Sequence, residues 1–257
     1  MRRFVAMALA VLLCCGLTVP LSGCGKLLQP SRGELARASS FIDRKALKIG
    51  IYTIVTNDVV TIHHDTTVSI CGTDAIWSGI AKAHYRGSEF VQECNTVCAE
   101  GKALKSWRGK WVETTVHSPV SEIMQWLQMV KQGAGYYDKT PVTAAELPSQ
   151  FSGIDGKLYC ITLAGQRIDW TAFTDMNPDT FFGGEGVLKR HETVHVNLYF
   201  GADDLRLKAI ILSAGGMADL VNVYITISQA ESAPDIDLSR LEVVIGTLSE
   251  EWDLVTK

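Results

Sequence analysis

The sequence contains no G-x-S-x-G, no glycine-rich phosphate loop and no pair of carboxylates in a recognisable setting. Nucleophile-elbow hydrolysis, nucleotide cradling and two-carboxylate acid–base chemistry therefore lack their usual carriers. No run of Lys and Arg stands out beyond Arg2 and Arg3, and the net charge is −4, so nucleic acid is not an expected partner. Internal repeats and low-complexity tracts are lacking too, which sets aside solenoids and compositional linkers. What remains is an ordinary globular composition, 47% hydrophobic and 20% charged, long enough to bury a core unaided. No cofactor is implied.

The N-terminus carries the most specific signal. Arg2 and Arg3 precede an apolar run from Phe4 to Leu17, and Leu21-Ser22-Gly23-Cys24 follows. A charged n-region, an apolar h-region and a small-residue site are the layout of a secretory signal peptide. Pro20 and Gly23 weigh against reading the same stretch as a transmembrane helix. The tetrapeptide LSGC resembles the lipobox of bacterial lipoproteins, in which cleavage precedes a cysteine that carries diacylglycerol. The resemblance implies a signal at 1–23, a lipidated Cys24 with a tether over 24–45, and one folded domain over 46–257. It also implies a cell-envelope location, with the body facing outward and held to the membrane by lipid. A mildly acidic body gives no electrostatic grip on anionic lipid, so two or three acyl chains must provide the hold. Within the tether, Leu35 to Phe41 reads equally well as a first helix packed on the body.

Cys71, Cys94, Cys98 and Cys160 lie beyond the signal, and an exported chain can oxidise them. Four cysteines allow three pairings. On a strand, Cys94 and Cys98 stand ~13 Å apart at ~3.3 Å per residue, too far for a mutual bridge or a shared metal. One disulfide between neighbouring strands, or buried free thiols, is the expectation.

From Ala46 onward the texture is that of strands. Lys48 to Val55, Val59 to Ile70, Ala75 to Tyr85 and Phe90 to Cys98 are rich in β-branched and aromatic residues and are separated by turn signals. Shorter runs end at Trp107 and Val116, giving an antiparallel meander. Ser118-Pro119 then reads as an N-cap with proline at the first helical position. Ile123, Trp126, Leu127 and Val130 form one apolar stripe that predicts a helix over 119–132. A second helical stretch is expected over 166–174, with Ile168, Trp170 and Phe173, and a strand over 158–163 lies between the two. Three strands with one apolar and one polar face close the chain: 194–200, 205–212 and 221–228. A short strand is expected at 241–245.

His191-Glu192-Thr193-Val194-His195 matches HExxH. In a zinc peptidase that motif needs a helix, which sets the two imidazoles one turn apart. Here the residues after Glu192 alternate with period two, and a strand would separate the histidines by ~13 Å. The match reads as coincidence, and a zinc hydrolase using these residues is the weaker alternative. His63-His64-Asp65 is metal-like in composition, but neighbours on a strand point to opposite faces, so a solvated edge is the simpler reading.

The run VHVNLYFGADDLRLKAIILSAG with VNVYITISQA, behind a meander and a helix, is similar to the C-terminal half of LolA-like and LppX-like lipoprotein carriers. The resemblance implies an α+β fold: a curved antiparallel sheet, an open half-barrel, with two or three helices covering the concave face. It further implies a non-enzymatic carrier that takes a lipid or other hydrophobic ligand into an apolar cavity. Trp126, Trp170, Val196, Leu198, Ile225 and Ile227 are the candidate wall; no catalytic or metal-binding residue is expected. The remaining alternative is a structural or interaction lipoprotein with a solid core.

Overall fold

The computed structural model describes residues 29–43, 46–56, 60–107, 109–116, 118–132, 143–147, 151, 153–168, 173, 194–215, 220–245 and 253–255. Alternation governs most of them. In Val60–Cys71 every second residue is buried, the sign of a strand with one face on a core. Tight turns fold such strands back on one another. Arg86-Gly87 and Glu100-Gly101 both have positive φ at their two positions, 49° and 80°, then 53° and 75°. That is the mirror-image turn whose twist matches flanking strands, and glycine at the second place makes it cheap.

The meander comprises β1 (Leu47–Thr56), β2 (Val60–Cys71), β3 (Asp74–Tyr85), β4 (Ser88–Ala99), β5 (Lys102–Trp107) and β6 (Lys110–Glu113). The second half comprises β7 (Thr143–Ala145), β8 (Leu158–Gln166), β9 (Val194–Gly201), β10 (Leu207–Gly215) and β11 (Leu220–Gln229), and a short β12 (Asp253–Val255) pairs with β4. All belong to one curved 12-stranded sheet, ordered β6-β5-β4-β3-β2-β1-β11-β10-β9-β8-β7. The named strands pair antiparallel throughout. β1 and β11 join the halves along the whole of β1, from Leu47 opposite Gln229 to Thr56 opposite Leu220. β6 and β7 end the path without pairing to each other, so the sheet stays unclosed.

Two α-helices are described, α1 (Arg32–Ala38) and α2 (Pro119–Gln132), with 3-10 turns at Ser40–Asp43 and Leu238–Arg240. The topology explains the place of α2. The chain leaves the sheet at one edge strand, β6, and re-enters at the other, β7, so its connection must cross the sheet. The predicted stripe is what α2 buries: Ile123, Trp126, Leu127 and Val130 are all in the core. α1 also belongs to the body. Leu35 is fully buried, the Ser39 hydroxyl accepts a 2.8 Å hydrogen bond from the Leu207 N–H, and the compact unit runs from Arg32 to Lys257. The folded unit thus begins ahead of Ala46, where the strand pattern starts.

Other expectations need correction. Gln166 ends β8, and Arg167 and Ile168 are not helical, so the expected second helix does not begin there; Phe173 is helical, and the other residues of 169–174 fall outside the described residues. Residues 241–245 form one isolated bridge, Trp111 to Val243, instead of a strand. Of the two arrangements expected for the cysteines the disulfide is not formed: Cys71, Cys94, Cys98 and Cys160 are free thiols, Cys94 and Cys160 buried. Register gives the reason. Cys71 lies opposite Asp74, while Cys98 lies opposite Ala75, one strand further on. β2 and β4 are two strand spacings apart, ~9.6 Å, beyond the reach of a bridge. Cys160 sits on β8, in the other half, opposite Tyr199.

Candidate functional site

Between the irregularities at Leu207/Ala209 and Leu163/Gln166, the register carries across eight strands and aligns the inward-facing residues into rows. One row reads Ile161, Leu198, Ile210, Ile225, Ile51, Thr66, Gly79 and Cys94, from β8 to β4. Its neighbour reads Leu163, Val196, Leu212, Val223, Thr53, His64, Ala81 and Gln92. The β8–β11 part of both rows is wholly aliphatic and fully buried. Beyond β1 these two rows turn polar and small, while the rows on either side keep Ile62, Val68 and Trp77 in the apolar core.

Of the predicted wall, Val196, Leu198, Ile225 and Ile227 all lie on the inner face within one apolar cluster, together with Trp126 from α2. Trp126 is fully buried and stacks on Phe173, ring centroids 5.8 Å apart and 9° from parallel. Trp170 and Cys24 lie outside the described residues. Sequence reasoning missed Ile161, Leu163 and Phe173 as wall residues, although the alternation on β8 marked the first two.

It also missed the polar end. Thr53, His64, Thr66, Gln92 and Thr96 are all buried on the inner face. His64 is therefore no solvated edge residue: it is 1% exposed, with Nε2 2.9 Å from the Thr66 hydroxyl. Burial pushes its pKa down to about 4, aided by the positive charge of Lys105, so the imidazole is neutral at pH 7. Its neighbours obey the strand rule. His63 points outward to accept or donate at the Tyr52 hydroxyl, 2.8 Å away, and Asp65 is exposed. The cluster is split between faces and holds no common ligand geometry.

His195 is exposed on β9, while His191 and Glu192 fall outside the described residues. Among the described residues no group of three His, Cys, Asp or Glu side chains is placed to hold a metal.

The outer face is differently equipped. Phe151, Leu158, Cys160, Tyr199, Ala209 and Ile211 form a second, smaller cluster over β8–β10. Burial raises the Cys160 thiol and lifts Tyr199 to about 12, so neither is an ionised nucleophile at neutral pH. Two open grooves of about 490 and 430 Å³ flank Asp65, the first beside Tyr52, Phe151 and Tyr224, the second beside Ser78, Glu93 and Asn95. Their walls are aromatic or polar, without the continuous aliphatic surface of the inner face.

No protein-family model and no curated protein matches the sequence. Among solved structures the chain is similar to LprF from Mycobacterium bovis, at 13% identity over 79% of this chain and 96% of that one, with a TM-score of 0.37. It is also similar to a beta-barrel-like protein of a domain of unknown function from Brucella abortus, at 11% identity over 74% and 100%, TM-score 0.26. A LolA superfamily protein from Nitrosomonas europaea aligns at 9% identity over 80% and 96%, TM-score 0.25.

Proposed function

We propose that the chain is a lipid-anchored envelope protein that binds a lipid or other hydrophobic ligand between the inner face of its sheet and α2, without catalysing a reaction. The observation that carries this reading is the aliphatic wall of β8–β11 in an unclosed sheet. A closed barrel would fix its interior by backbone pairing all round. Here the wall is covered by α2, α1 and Phe173, held to it by side-chain packing. Such a cover can shift to admit an apolar chain, which gains ~0.8 kcal/mol per buried methylene against the cost of displacing the cover. The lipobox-like LSGC supplies the anchor, with lipidation at Cys24.

The test is native mass spectrometry of the protein after export in a bacterial host. A lipid-sized adduct that leaves on collisional activation supports the reading. A bare polypeptide mass that also takes up no N-phenyl-1-naphthylamine overturns it. Substituting Cys24→Ala should abolish incorporation of radiolabelled palmitate; unchanged labelling removes the anchor.

A further inference from the structure

Among the described residues, the inner face contains three buried polar atoms without a hydrogen-bond partner: Thr53 Oγ1, His64 Nδ1 and Gln92 Oε1. They stand in one register row, Thr53 beside His64, and His64 separated from Gln92 only by Ala81. Leaving such atoms unpaired costs free energy, and native interiors rarely do so without a reason. The row is otherwise stripped of bulk. β3 contributes Gly79, Ala81 and Ala83 to this part of the inner face, and a Cβ at Gly79 would strike the Thr66 hydroxyl and the Asp65 carbonyl. Glycine there leaves room for the Thr66 hydroxyl, which holds His64 by Nε2 and leaves Nδ1 as the unpaired nitrogen.

Resting on the ligand-binding reading above, we propose that Thr53, His64 and Gln92 form a polar seat for an uncharged hydroxyl group of the bound ligand, whose apolar chain runs along the wall towards β8. Chemistry selects the hydroxyl. Gln92 Oε1 only accepts, so it needs a donor. His64 Nδ1 donates or accepts according to which tautomer Thr66 fixes, and Thr53 does both. A hydroxyl both donates and accepts, so it can pair with whichever of the three it reaches. A carboxylate, which only accepts, would face the Gln92 oxygen unpaired and bring a charge beside a neutral imidazole. Lys105, whose charge reaches His64, already has a partner of its own.

The experiment uses the full chain in lipid nanodiscs, offered 1-hexadecanol, hexadecanoate or 1-methoxypentadecane separately, with retained adducts read by native mass spectrometry. The ether matches the alcohol in heavy atoms but lacks its donor. The expected result is at least tenfold more retained hexadecanol than ether or hexadecanoate. In Thr53→Val/Gln92→Met, hexadecanol should fall to the ether's level while ether retention holds, which also shows that the variant is folded. Equal retention of all three in both proteins overturns the seat, leaves the carrier reading standing, and assigns the three atoms to trapped water. Preferred retention of hexadecanoate overturns the choice of a neutral group. Retention of none removes the carrier reading and the seat with it.

Discussion

At the scale of single residues, His64 is the most informative side chain. Its folded pKa, about 4, lies below the ordinary 6.5, so between those values the unfolded chain binds a proton that the folded one does not. Stability is therefore full above about pH 6.5 and declines as pH falls towards 4, by about 2–3 kcal/mol at pH 4.5. Asp204 is shifted in the same direction for a different reason: against a small desolvation, its pairing with Lys208 at 2.7 Å and the Arg206 N–H it accepts from hold its pKa below the usual value. Its contribution is lost only below about pH 4, in a separate window. Urea midpoints at pH 7.5 and 4.5 measure the histidine's share, and the decline should shrink in His64→Gln; a flat wild-type profile would mean that the imidazole is hydrated. The thiols divide in the same physical way. Cys94 and Cys160 are buried and Cys71 and Cys98 half-buried, so timed alkylation of the native protein should label the second pair first. Rapid labelling of Cys160 would contradict its place under the outer cluster.

At the scale of elements, the strands were legible wherever inward positions are aliphatic, because period-two alternation follows directly from one buried face. Val194, Val196 and Leu198, then Val221, Val223 and Ile225, were read correctly for that reason. On β1 and β2 the same inward positions carry Thr53, His64 and Thr66, which alternation assigns to solvent. Nothing local distinguishes a polar residue facing water from one facing a buried row. α2 was legible from cap, proline and stripe together, whereas the three-residue β7 has no pattern of its own. The energetic expectations follow. Ile225→Ala, at the middle of the wall, should cost roughly 2–5 kcal/mol in urea unfolding. Gly79→Val should lower the urea midpoint, because it drives Thr66 from His64; an unchanged midpoint would show that the close approach is relaxed by backbone movement.

At the scale of the whole molecule, the sheet is two meanders sewn along one line. Every other neighbouring pair in the path joins strands that are close in sequence, but β1 and β11 bring the start of the body against its end. That pairing was not legible, since no spacing rule links strands some 170 residues apart. It has a consequence in time. Until residues 220–229 are available, β1 has a bare edge, and the long loop between the halves must close before the seam yields any hydrogen bonds. Such a chain folds slowly and late. The seam is thus a timing device: whatever hairpins form first on either side, the two halves stay separate bodies until β11 is there to join them.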